Sequence, residues 1–129
     1  MNSTTQNFKE SASAMTITLI GAGNMGGAML NGWLANMGDD VRFNVVDPDV
    51  DNKDIPSDSR ITISHDPAEI TDALKETNIV LFANKPQIMK DVCEQWQGHI
   101  PQSAAIASIC AGIPIAFMQH YLGNDRAYI

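Results

Sequence analysis

The stretch "TLIGAGNMGGAML", residues 18–30, places four glycines within seven positions, between an apolar run and the first turns of an amphipathic segment. Gly21, Gly23 and Gly26 are spaced G-x-G-x-x-G. The preceding "TITLI", residues 16–20, is β-branched and apolar, the pattern of a buried strand. Met25, Met29, Trp33, Leu34 and Met37 then recur at helical spacing as a core-packing stripe, and Gly38 closes the helix. Glycines at a strand-to-helix junction keep side chains away from the helix N-terminus, whose N–H groups and dipole favour an anion. Here Gly21 makes the turn, Gly23 admits a pyrophosphate to the backbone, and Gly26 lets the helix close on the strand.

The rest of the chain repeats the alternation. "RFNVVD", residues 42–47, is a second strand, ended by Pro48. After a polar loop, "RITIS", residues 60–64, is a third. Asp66-Pro67 reads as an N-cap followed by proline at the first helical position, opening a helix to about Glu76. "IVLFA", residues 79–83, is a continuous apolar strand, and Pro86 opens a helix carrying Ile88, Met89, Val92 and Trp96. "AAIASI", residues 104–109, "IPIAFMQHYLG", residues 113–123, and "RAYI", residues 126–129, follow as strand, helix and strand. Strands alternating with helices imply parallel pairing with right-handed crossovers. The expected fold is α/β, a doubly wound, mostly parallel, Rossmann-like sheet of about six strands. Residues 15–129 form the dinucleotide-binding domain. Residues 1–14, rich in Ser, Thr, Asn and Gln, read as a disordered tail, with Met15 a second candidate start.

Asp47 ends the second strand, 21 residues beyond Gly26. A carboxylate there accepts hydrogen bonds from a ribose 2′-hydroxyl and repels a 2′-phosphate, which leans the cofactor choice, NADPH or NADH, towards NADH. No arginine follows closely; Arg42 lies at the other end of the strand, and Lys53 and Arg60 are more distant. Asp47 also fits the simpler role of starting an Asp-Pro turn.

Composition narrows the partners. Fifteen acidic against eight basic residues give a net charge of −7, and the basic residues are scattered singly, so no nucleic-acid partner is expected. Seven acids between Asp39 and Asp58 read as a solvated surface. No apolar run reaches the ~18 residues of a membrane span, and no signal peptide opens the sequence. Cys93 and Cys110 are far apart and read as reduced thiols in a cytoplasmic setting. His65, His99 and His120 show neither metal nor triad spacing and read as structural or solvent-exposed; no metal site is expected.

Three stretches together, "IGAGNMGGAM" at the first turn, "ANKPQ" at residues 83–87 and "SICAGI" at residues 108–113, resemble the Δ1-pyrroline-5-carboxylate reductase family. The resemblance runs from about residue 15 to 129 and covers that family's amino-terminal domain. It implies phosphate contacts from Ile20, Gly21, Ala22, Gly23, Asn24 and Met25, and adenosine-ribose contacts from Asp47 and Pro48. Along the nicotinamide half it implies Ala83, Asn84, Lys85 and Pro86 together with Cys110, Ala111 and Gly112. Asp66 stands where the family often has asparagine near the cofactor; helix capping is the equal alternative. Asn84 departs from the small apolar residue usual before Lys85, and Asp47 departs from a family that commonly uses NADPH.

The implied reaction is hydride transfer from NAD(P)H to the C=N carbon of a cyclic imine, a small-molecule substrate, giving L-proline. No catalytic acid is assigned. The family's helical carboxyl-terminal domain, which supplies dimer contacts and the substrate-carboxylate segment, has no counterpart in these residues. The chain is therefore expected to bind the dinucleotide while reducing imine feebly or not at all alone, and to form a homo-oligomer only with that domain. Two other readings fit the same residues: a non-catalytic NAD(P)-binding module, and a related small reductase of the F420-dependent NADP reductase or hydroxyacid dehydrogenase type.

Overall fold

The computed structural model describes residues 15–129; the expectation for residues 1–14 lies outside the described residues. Five strands are present: β1 Met15–Ile20, β2 Val41–Val46, β3 Ile61–Ser64, β4 Ile79–Phe82 and β5 Ala105–Ser108. They form one sheet in the order β3-β2-β1-β4-β5, and every pairing is parallel. The order runs one way from β1 to β3 and the other way from β1 to β5. The crossover after β1 therefore starts at the point of reversal, where a crevice opens outside the strand ends. The predicted sixth strand is reduced to one parallel bridge, Ile106 to Tyr128, in which Ile106 N–H donates to Ala127 O and Ile129 N–H to Ile106 O.

Helix α1, Asn24–Asn36, follows the glycine turn. It ends at Met37, whose extended backbone donates its N–H to Trp33 O, and not at Gly38 as the sequence suggested. Met25, expected in the packing stripe, is 65% exposed; Leu30 is the helix's fully buried large residue. Met29, Trp33, Leu34 and Met37 pack partly buried against one face of the sheet. Both proline-led helices begin as 3₁₀ turns. Pro67–Ile70 precedes α2, Thr71–Leu74, and Pro86–Ile88 precedes α3, Met89–Trp96. A proline lacks the N–H that a regular first turn shares, and the tighter i→i+3 pattern accommodates it. The last helix, α4, is Ile115–Leu122.

Two cores flank the sheet. On one face Leu19, Leu30, Phe43 and Val45 meet α1, with Trp33 stacked on Phe43 at a centroid separation of 5.9 Å. On the other, Val80, Phe82, Met89, Cys93, Trp96 and Met118 join α3 and α4 to β4 and β5. Burial on both faces is what the uninterrupted apolar run of β4 requires.

Candidate functional site

The glycine turn is held from three sides. Gly21 N–H donates to Val46 O at 2.9 Å, and Ala83 N–H donates to Ile20 O at 2.8 Å. A Cβ on Gly21 would stand 2.9 Å from the Ala83 carbonyl, and its φ of +94° is one that L side chains rarely adopt. A Cβ on Gly26 would stand 2.2 Å from Gly21 O, so α1 crosses the turn in contact with its backbone. Gly23 differs: nothing lies within 4 Å of where its Cβ would be. Gly23 is also the N-cap of α1, with no side-chain cap and no acidic residue in the first turn. Orphan N–H groups at an uncapped, unobstructed helix start are suited to an anion. A pyrophosphate fits this cradle.

Asp47 lies beneath the loop. Its Oδ2 accepts from Ala22 N–H and its Oδ1 from Asp49 N–H, each at 2.8 Å, and the residue is 8% exposed. The carboxylate expected to wait for a ribose hydroxyl thus already braces the glycine loop and the Asp-Pro turn. A carboxylate has about four lone-pair sites, so capacity for a ligand hydroxyl remains.

From the glycine turn a cleft of about 210 Å³ runs over the ends of β1, β2 and β4 to α3. Of the predicted contact residues, Ile20, Gly21, Gly23, Asp47, Pro48, Ala83, Asn84 and Lys85 line it. Ile88, Val92 and Trp96 of the α3 region supply an apolar wall that sequence reasoning had assigned only to packing. Ala22 is buried with its N–H taken by Asp47, and Asn24 and Met25 are exposed on α1. Pro86 is outside the lining, and Asp66 accepts from Ala68 N–H at 2.8 Å as a helix-start cap. Cys110, Ala111 and Gly112 also lie outside the lining. The Cys110 thiol donates to Asn84 O at 2.9 Å, tying the loop after β5 to the loop after β4. Burial raises the Cys110 pKa, so the group is a packed thiol and not a thiolate nucleophile.

Two ionisable residues of the cleft stand outside the predicted contacts: Lys53, weighed from the sequence only as a distant partner for a 2′-phosphate, and His65, read as structural or solvent-exposed. Lys53 Nζ lies 4.0 Å from Asp49 Oδ2. His65 Nε2 is 2.8 Å from Asp51 Oδ2, and its Nδ1 is 3.3 Å from Glu69 Oε1. The hydrogen bond to Asp51, then that to Glu69, raises the imidazole pKa above its ordinary value. Nothing in the local sequence signals this, because Asp51, His65 and Glu69 come from two different loops. A further hollow, of about 230 Å³ and lined in part by Thr71, Lys75 and His99, opens at the amino-terminal ends of the strands, away from the glycine turn. Among the described residues no group of three or more His, Cys, Asp or Glu side chains is placed to hold a metal ion. No helix there is long and apolar enough to cross a membrane.

A parallel sheet that reverses order at a glycine-rich turn, with a carboxylate at the end of the second strand, is the arrangement of the Rossmann-like fold class. Within that class the chain belongs to the coenzyme F420-dependent NADP oxidoreductase family, whose model matches residues 16–112. It is 31% identical over 114 residues to a pyrroline-5-carboxylate reductase of Pseudomonas aeruginosa, covering 88% of this chain and 41% of the relative. The chain thus spans about two fifths of that relative's length. A solved pyrroline carboxylate reductase of Plasmodium falciparum, with NADP bound, superposes with a TM-score of 0.66 at 18% identity, covering 92% of this chain and 42% of that one. A prephenate dehydrogenase from A. aeolicus, in complex with NAD+, gives a TM-score of 0.65 at 13% identity, covering 92% of this chain and 42% of that one. These two likenesses concern the fold.

Proposed function

We propose that residues 15–129 are the dinucleotide-binding domain of a pyrroline-5-carboxylate reductase. The observation that carries the dinucleotide reading is Gly23, an uncapped helix start with open space where a side chain would stand. The substrate reading rests on the similarity to the Pseudomonas aeruginosa reductase and on the Lys85-Pro86 and Ala111-Gly112 loops, each just past a strand. The chemistry a reduced nicotinamide supplies is a hydride for the imine carbon, with a proton reaching the nitrogen to give the secondary amine of L-proline.

This chain's residues bind and orient. The N–H groups at the start of α1 take the pyrophosphate beside Gly23. Asp47, Pro48 and the cleft beyond them receive the adenosine half. The cleft is smaller than the roughly 300–1,000 Å³ of sites that enclose a whole ligand, and it stops short of Cys110–Gly112. The nicotinamide half therefore lies on the open surface between the loops after β4 and β5, where a substrate can reach it. Ala111 and Gly112 leave that surface uncluttered, and the Cys110–Asn84 contact fixes the spacing of the two loops. Lys85, exposed at the rim, reaches a ribose hydroxyl or a phosphate oxygen.

At the adenosine end the charge of Asp47 opposes a 2′-phosphate, so NADH is the tighter ligand near neutral pH. The test has two parts. Fluorescence titration of the protein with NADH and NADPH should saturate with both, NADH at the lower concentration. Proline formation from 1-pyrroline-5-carboxylate and NADH should then be measured with the natural full-length protein, against 2-keto acids and oxidised F420 with NADPH as alternative acceptors. Dinucleotide oxidation with keto acids or F420 but not with the imine would replace the reductase reading by one of its relatives.

A further inference from the structure

His65 sits at the rim of the adenosine end, facing the same cleft as Asp47, Pro48 and Lys53. It is held at both ring nitrogens, by Asp51 from the loop after β2 and by Glu69 from the turn after β3. Glu69 is itself fixed: Oε1 accepts from His65 N–H at 2.8 Å and from Ser64 Oγ at 3.0 Å. The ring is thereby kept in one place beside the position a 2′-substituent of the ribose would take, given that Asp47 marks the ribose. We propose that His65 is a specificity-determining residue whose protonation makes the choice between 2′-phosphorylated and 2′-hydroxyl dinucleotide depend on pH. The inference rests on the reading of this cleft as a dinucleotide site.

The charged groups around it fix the sign. Asp51 and Glu69 contact the ring. Across the cleft stand Asp47, Lys53 and Lys85; Asp49 lies against Lys53, and Asp66 is the next residue in the chain. With His65 neutral, the carboxylates outnumber the two lysines and a phosphate is opposed. With His65 charged, one more cation faces the 2′ position, so the penalty on NADPH falls. NADH, with no charge there, is nearly indifferent. Lower pH therefore narrows the preference for NADH, and raising pH through the elevated imidazole pKa restores it.

Dissociation constants for NADH and NADPH are to be measured by calorimetry at mildly acid and mildly alkaline pH, for the wild-type chain and for His65→Gln. The NADPH-to-NADH ratio of dissociation constants should fall about threefold or more on acidification of the wild type, and clearly less in the variant. The 2′-phosphate's own titration is common to both proteins, so the difference between them isolates His65. By thermodynamic reciprocity, an NMR titration of the wild-type ring should show its pKa rising with NADPH bound and not with NADH. This second measurement requires no substitution. Equal pH dependence in both proteins, or an imidazole pKa that NADPH leaves in place, would overturn the role of His65 alone. Binding of neither dinucleotide at either pH would overturn the cleft reading, and this inference with it.

Discussion

Gly23 and Gly26 are three residues apart, yet a methyl group has opposite consequences at the two positions. At Gly26 it would meet backbone at 2.2 Å. Gly26→Ala should cost the fold about 1–3 kcal/mol, the usual penalty of overpacking, measured by denaturant unfolding. At Gly23 a Cβ meets nothing within 4 Å, and the φ of −71° is open to any L residue. Gly23→Val exchanges a favoured N-cap residue for a poor one and should cost no more than about 1 kcal/mol in stability, while weakening dinucleotide binding at least tenfold, about 1.4 kcal/mol. Asp47→Ala removes the acceptor of Ala22 N–H and Asp49 N–H, and should cost about 1–3 kcal/mol in stability as well as affinity, seen by the same unfolding measurement. The glycine spacing and Asp47 were legible in sequence because local backbone demands fix them. The Asp-Pro turn that occupies Oδ1 was legible too, but the use of Oδ2 to brace Ala22 was not, since that partner is 25 residues away. The place of His65 in the cleft was not legible for the same reason: it comes from the loops after β2 and β3 meeting.

At the scale of elements, the alternation of strands and helices was readable throughout, because β-branched runs and helical periodicities rarely coincide. The ends were read less well. Gly38 resembled a helix terminator, but the carbonyls at the end of α1 are taken by Arg60, which donates to Leu34 O, Met37 O and Gly38 O while its guanidinium lies 5.9 Å from the Phe43 ring centroid. Arg60 in turn is gripped by Asp58 at 2.9 Å. The hydrogen bond from Arg60 lowers the Asp58 pKa to about 2. A carboxyl depressed in the folded state stabilises above its unfolded pKa and loses that contribution as pH falls through its folded one. Acidification from about pH 4 to pH 2 should therefore release the α1–β3 corner, and Asp58→Asn should flatten the stability profile across that window. An acid-unfolding comparison of the two proteins checks this. If the profiles remain parallel, the Asp58–Arg60 pair is not what fastens the corner.

For the whole molecule, the sheet reversal at β1 puts the glycine turn, the end of β2 and the α3 wall around one cleft. Two cores, one on each face, hold it there. Phe82 is fully buried at the carboxyl end of β4, directly before Ala83 and Asn84 of the cleft. Phe82→Ala should cost about 3–5 kcal/mol, a large part of the 5–15 kcal/mol typical of a domain, and thermal unfolding reads it directly. The sixth strand, which the sequence pattern begins at residues 126–129, contributes only the Ile106–Tyr128 bridge, so pattern predicts a strand's tendency more readily than its pairing. The solved folds superpose on most of the chain, as a TM-score of 0.66 over 92% of it shows. Calorimetric titration of the wild-type protein and of Gly23→Val with NADH tests the central claim most directly. The wild type should bind one dinucleotide per chain and the valine variant, equally folded, should bind at least tenfold more weakly; equal binding by both, or none by the wild type, would contradict it.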